Sequence, residues 1–149
     1  MKQLIHRIAA VIATICIVSF FSATVLVELM GSQAMLVNVK NMIVYPGLFI
    51  LIPAMAITGI TGAQLAAKRR GKIIAAKKKR MPIIALNGLL ILMPAAIYLN
   101  LLATRGEFST TFYTVQVLEL IAGAINITLM SLNIRDGLKM AGRLRLASV

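Results

Sequence analysis

The chain has 149 residues, of which 60% are hydrophobic and only 13% charged, and its formal net charge is +12. Soluble domains average about 45–50% apolar and about 25% charged residues, so this composition excludes a water-soluble globular enzyme and a disordered chain. The single cysteine excludes a scaffold held by internal disulfides. The class that remains is a helical membrane protein.

Four apolar segments are long enough to cross a bilayer, whose hydrocarbon core of about 30 Å needs about 20 helical residues. In chain order they cover about 8–30, 41–67, 81–103 and 111–134. Each is predicted to be a helix, because backbone groups in hydrocarbon must pair internally and no segment alternates like a barrel strand. The short connections predict an all-α, four-helix bundle of up-down topology, with residues 1–149 forming one transmembrane domain.

Prolines distinguish the second and third segments. The stretches 47–54 and 88–95 agree at six of eight positions, which is either a chance match of common membrane residues or an inverted pair of the kind that transporters use. Pro53 and Pro94 predict a kink in each helix, and Pro46 predicts that the second helix is bent or locally unwound in its outer half. Small residues predict close helix packing at Gly59, Gly62 and Ala63 of the second segment and at Gly123 of the fourth.

Basic residues predict the orientation of the chain. All of the 16 Lys and Arg residues except Lys40 and Arg105 lie before the first segment, in the connection 68–80 or in the tail 135–149. An excess of Lys and Arg in short loops is typical of the cytoplasmic face, so both termini and the connection 68–80 are predicted to be cytoplasmic in a multi-pass, bacterial-type inner membrane protein.

The basic connection is predicted to contact anionic lipid headgroups rather than nucleic acid, because no aromatic residue is present for base stacking. The predicted lipid contacts are Lys68, Arg69, Arg70, Lys72, Lys77, Lys78, Lys79 and Arg80.

The fourth segment carries a polar stripe with the three-and-four spacing of a heptad seam. Its members are Gln116, Glu119, Gly123, Asn126, Met130 and Asn133. In lipid these groups need hydrogen-bond partners, so the stripe is predicted to face other helices. The sequence leaves open whether those helices belong to this chain or to a partner.

Glu119 is the leading candidate for a functional residue, because it lies about 12 Å into its helix and intramembrane acids are functional candidates by default. No basic residue lies inside any of the four segments, so we expect a neutral Glu119 that shares hydrogen bonds with polar neighbours. The candidate intramembrane polar site comprises Glu119, Gln116, Asn126, Asn87 and Asn100, with Tyr98 as a further possible neighbour. Its role is either structural hydrogen bonding or the handling of a proton or substrate.

Other residue types point to no cofactor, metal or catalytic centre. His6 is the only histidine, which excludes haem held by two histidines of one chain. Cys16 and the nine methionines are expected to pack as apolar side chains. Glu28 lies near the outer interface and is expected to be solvated. Two isolated glutamates supply too few groups for catalysis, so the protein is not expected to be an enzyme.

Three functions fit these features. The first is an accessory, assembly or scaffold subunit that packs against partner membrane proteins or against itself. The second is a small oligomeric transporter or proton-coupled carrier that uses Glu119. The third is a lipid- or quinone-binding module with an apolar cleft between the second and third helices and Tyr45 or Tyr98 as its polar handle.

Overall fold

A computed structural model of the chain describes residues 1–67, 71–140 and 142. Those residues form four long helices and no strand: α1 (Lys2–Met30), α2 (Gln33–Ala67), α3 (Lys72–Thr104) and α4 (Thr110–Met140). By length and composition, each helix can cross a membrane. The predicted all-helical fold with four long apolar helices is therefore confirmed.

Helix α2 begins eight residues before its predicted apolar segment, at Gln33 rather than at about residue 41. The Ser32 side chain caps this end, because its hydroxyl accepts a hydrogen bond from the Met35 amide at 3.3 Å. Lys40, which hydropathy had placed between the first and second apolar segments, consequently lies inside helix α2.

Both proline-containing helices depart from regular α-helical geometry. Helix α2 is interrupted at Ile43–Leu48, where Tyr45 has extended backbone angles of φ −128° and ψ 110°. Pro46 accounts for the interruption, because a proline disfavours the helical conformation of the residue before it. Helix α3 contains a wider, π-helical stretch at Gly88–Leu92, shortly before Pro94. The predicted break near Pro46 is confirmed.

The four helices pack unevenly. Helix α1 lies along the Phe49–Ala67 part of α2, and α4 contacts both α1 and α3. Helices α2 and α3 contact each other through Gln33–Met42 and Ile43–Leu48 with Met93–Thr104, and again through Phe49–Ala67 with Lys72–Asn87. Between these two contact regions, α2 and α3 are separated by an apolar cavity. Glu119 of α4 lines this cavity.

Candidate intramembrane polar site

The polar stripe of α4 faces the other helices of this chain. Gln116, Asn126 and Met130 are buried, and Gly123 packs against Phe21 of α1. The stripe therefore packs against helices of this chain, which is one of the two alternatives that the sequence left open. The polar stripe therefore does not need a partner protein to cover it.

Lys40 and Glu119 form a buried ion pair. The Lys40 Nζ donates to Glu119 Oε2 at 2.5 Å, and the two side chains are only 1% and 12% exposed. Gln116 Nε2 donates to the same carboxylate oxygen at 3.3 Å. The prediction of a neutral Glu119 without a cationic neighbour was wrong, because α2 begins at Gln33 and carries Lys40 into the helical core.

The depth of the pair follows from helix geometry. Lys40 lies about 10 Å along α2 from Gln33, and Glu119 lies about 14 Å along α4 from Thr110, at a rise of about 1.5 Å per residue. Opposite charges attract strongly where water is excluded, and the pair stabilises two groups that would otherwise be costly to bury. The cap at Ser32 was the sequence signal that would have placed Lys40 in a helix.

Asn87 and Asn126 form a second polar group, separate from Glu119. Asn87 Nδ2 donates to Asn126 Oδ1 at 2.9 Å and to the Ala122 carbonyl at 2.8 Å. Asn126 is fully buried, and its Nδ2 donates to the Ile84 carbonyl at 3.4 Å. These bonds join α3 to α4. The five predicted site residues are thus divided, with Gln116 beside Glu119 and the two asparagines bonded to each other.

Three side-chain oxygens are buried without a hydrogen-bond partner among the described residues. They belong to Asn100, Gln116 and Glu28. Asn100 forms no side-chain bond to Glu119 or to the asparagine pair, so its predicted place in the site is not supported by contact. Glu28, expected to be solvated, is only partly exposed, and its Oε1 is shielded.

An apolar cavity of about 400 Å³ adjoins the ion pair and is lined by all four helices. Phe20, Met55, Leu92 and Met93 contribute to its walls, and only Thr24 and Glu119 contribute polar side chains. We call it the central cavity. Both side-chain hydrogen bonds that Glu119 makes with described residues end on Oε2, which leaves Oε1 able to accept a further bond.

The four small residues predicted to pack helices differ in their surroundings. A Cβ added at Gly123 would lie 3.2 Å from the Phe21 ring, and one at Gly62 would overlap the Met81 side chain. A Cβ added at Gly59 would meet nothing within 4 Å, and Ala63 is exposed. Gly59 and Ala63 therefore do not mediate helix packing within the chain. Gly59 instead lines the central cavity, and Ala63 lies on the outer surface.

The basic residues of the connection differ in exposure. Lys72, Lys78 and Lys79 are exposed, whereas Lys77 and Arg80 are partly buried. Arg80 donates to Asp136 Oδ2 at 2.7 Å, so an acidic side chain of this chain already binds its guanidinium. Lys68, Arg69 and Arg70 lie outside the described residues, as does the tail from residue 143.

The predicted polar handles of a lipid cleft are not in the cavity. Tyr45 and Tyr98 are exposed and do not line it, and Glu119 takes that position instead.

Among residues 1–67, 71–140 and 142, no three His, Cys, Asp or Glu side chains are grouped as metal ligands would be.

No family model, curated protein or solved structure matches the chain. Function is therefore inferred from the geometry of the site.

Proposed function

We propose that this protein is a non-catalytic integral membrane protein that binds a hydrophobic molecule of lipid or quinone type in the central cavity. The observation that carries the proposal is an apolar space of about 400 Å³ that ends at a charged, hydrogen-bonded Glu119. Small-molecule sites are commonly about 300–1,000 Å³, mostly apolar, with a few polar groups that orient the ligand. The central cavity has this composition.

The polar end of the cavity favours a ligand that donates a hydrogen bond. Lys40 is 1% exposed and its ammonium is engaged by Glu119, so the charged group that lines the cavity is the Glu119 carboxylate, whose Oε1 can accept a hydrogen bond. A long-chain alcohol or the hydroxyl of a quinol supplies such a donor, together with an apolar body for the cavity walls. A ligand with acceptors alone would leave the carboxylate oxygen unsatisfied.

A proton-coupled carrier that uses Glu119 is the weaker interpretation. A transport route for ions requires polar groups along the cavity, whereas its walls are apolar apart from Thr24 and Glu119. The amides of Asn87 and Asn126 bond each other and neighbouring carbonyls, so they are not oriented toward Glu119.

The second candidate function is an accessory, assembly or scaffold subunit, in which a helix of a partner protein or of a second copy fills the opening. Gly59 supports this candidate, because nothing lies within 4 Å of a Cβ added there and small residues allow close approach of a second helix. The two candidate functions differ in the occupant of the central cavity, which is a small hydrophobic molecule in the first and a protein helix in the second.

We further infer an up-down arrangement with both termini and the connection 68–80 on the cytoplasmic side of the inner membrane. Support comes from the distribution of the 16 Lys and Arg residues, of which only Lys40 and Arg105 are assigned to the outer half. The orientation is tested by replacing Cys16 with alanine and labelling Lys79→Cys and Glu107→Cys in intact cells with a membrane-impermeant maleimide. Labelling of Glu107→Cys alone is expected, and labelling of Lys79→Cys alone would reverse the orientation.

The binding proposal is tested by native mass spectrometry of protein extracted in mild detergent. Ala56 lies on α2, is exposed and lines the central cavity, so Ala56→Phe fills the cavity without disturbing the ion pair. Ala124 of α4 is also exposed but does not line the central cavity, which makes Ala124→Phe the matched control.

We expect a bound hydrophobic molecule on the wild type and on Ala124→Phe, and its loss from Ala56→Phe. Wild-type protein that carries no such molecule would overturn the proposal. A co-purifying membrane protein that Ala56→Phe displaces would instead support the accessory role.

A further inference from the structure

A second cavity, of about 680 Å³, lies at the end of the molecule where α1 and α3 begin and α2 and α4 end. We call it the basic-end cavity. Among the described residues, the charged or ionisable side chains that line it are His6, Arg7 and Lys77, and none of these lining residues is a carboxylate. Asp136, the nearby acid, is occupied by Arg80 at 2.7 Å. Basic groups therefore surround this space without a matching negative charge.

Lys77 is the central basic group of this cavity. It is partly buried, and among the described residues no carboxylate oxygen lies within 4.0 Å of its ammonium. The Nζ lies 3.6 Å from the position that a Cβ on Gly137 would occupy, which places the ammonium beside the end of α4. Exposed Lys78 and Lys79 next to it in sequence have no such enclosure.

The charge of Asp136 acts on Lys77, but that carboxylate is already bound by Arg80 at 2.7 Å. His6 and Lys77 lie outside the apolar segments 8–30 and 81–103. Burial lowers the pKa of Lys77, with Asp136 opposing this and Arg80 adding to it. Burial also lowers the pKa of His6, and the charge of Lys77 lowers it further. A bound anion would stabilise the protonated form of both groups.

Apart from the three basic groups, the cavity is lined mostly by apolar residues, with Gln3, Thr14, Thr58 and Asn133 as neutral polar ones. Met55, Ile84, Ala85 and Met130 contribute to its walls. His6 is held in place by Thr61, with 3.1 Å between Nδ1 and the threonine oxygen. A basic mouth above apolar walls matches an anion that carries hydrocarbon chains.

We propose that the basic-end cavity is a specific site for the phosphate headgroup of an anionic phospholipid, with Lys77, His6 and Arg7 around the phosphate and the acyl chains against the apolar walls. Basic pockets between transmembrane helices are known to bind such headgroups. This site differs from a general attraction of lipid to a basic loop, because the enclosed Lys77 contributes far more to lipid binding than the exposed Lys78 and Lys79 do. Lys77 lines this cavity and not the central one, whereas Met55, Gly59 and Ala85 line both.

The test compares two lysines that differ in position but not in charge. Detergent-purified full-length protein is titrated with phosphatidylglycerol, and with phosphatidylcholine of the same chain length, and binding is counted by native mass spectrometry. The variants are Lys77→Gln and its matched control Lys79→Gln. One surface cation contributes roughly 1 kcal/mol, which corresponds to about a fivefold change in affinity. We expect Lys77→Gln to weaken phosphatidylglycerol binding about thirtyfold, and Lys79→Gln to weaken it no more than about fivefold.

A second variant guards against loss of folding in Lys77→Gln. Ala10 is partly buried and lines the same cavity, so Ala10→Leu narrows it and leaves every charge in place. We expect it to reduce phosphatidylglycerol binding while the melting temperature stays near that of the wild type. Equal losses in the two lysine variants, equal binding of both lipids, or competition by millimolar inorganic phosphate alone would each overturn the assignment. The last outcome would identify a soluble phosphate as the ligand.

Discussion

Separating the charges of the Lys40–Glu119 pair is the sharpest perturbation that the structure offers. Lys40→Met removes the cation and keeps an unbranched apolar side chain, whereas Glu119→Gln removes the anion and keeps the shape. Each single variant leaves one charged group buried without a partner, and the double variant leaves none. The double-mutant cycle therefore separates the interaction between the two groups from their individual burial.

The expected magnitude follows from the geometry of the pair. At the 2.5 Å separation of Nζ and Oε2, Coulomb attraction at an effective dielectric constant of about 20 is about 6–7 kcal/mol. Removing two ions from water costs several kcal/mol for each, so the pair as a whole contributes little net stability. Loss of one partner removes the attraction and leaves the desolvation cost. We expect each single variant to lower the free energy of unfolding by about 3–5 kcal/mol, and the double variant by much less than the two together.

The sole cysteine provides the assay. Cys16 is partly buried and packs against the cluster that contains Ala13, Ile17 and Leu51, so a fluorogenic maleimide reports thermal opening of the helices through its thiol. Both single variants should melt below the wild type, and the double variant should melt above either. If the shifts of the single variants add in the double variant, the two side chains do not interact, and the reasoning fails.

Three further results are expected. Asn126→Ala should lower the free energy of unfolding by about 1–2 kcal/mol, because it breaks the bond to Asn87 inside the helices, and no change in the melting temperature would refute this. Gly123→Leu should destabilise the protein because the added side chain meets Phe21, whereas Gly59→Leu should be nearly neutral because it enters open space; equal melting temperatures would contradict the described packing. A long-chain alcohol that carries a photoactivatable diazirine should label the wild type more strongly than its methyl ether does, and Glu119→Leu should abolish that preference. The preference would persist in Glu119→Leu if the carboxylate did not bind the hydroxyl.

The predicted helices agree best with the observed ones within the apolar segments, where composition alone determines that the chain is helical. All four apolar segments are helical because about twenty predominantly apolar residues leave the backbone few other ways to satisfy its hydrogen bonds in lipid. Helix ends were predicted less well, since a helix continues past the apolar segment wherever a cap and favourable residues allow it. Ser32 and the start of α2 at Gln33 show this.

The candidate site was predicted in part. The spacing of the α4 stripe identified the face that is buried, because side-chain periodicity in a helix determines which residues share a face. The division of the site was not predictable in the same way. Whether Asn126 would contact Glu119 or Asn87 depends on how α3 is rotated against α4, and the pattern of one helix contains no information about that rotation.

The amino-acid sequence by itself determined that this is a membrane protein with four long helices, because hydrophobicity and segment length are properties of the chain alone. Only the tertiary structure decided that Lys40 pairs with Glu119, 79 residues away, and that the middle parts of α2 and α3 leave a cavity between them. Both outcomes depend on the axial offset and relative rotation of separate helices. Packing of all four helices sets those quantities together, so no single segment can specify them.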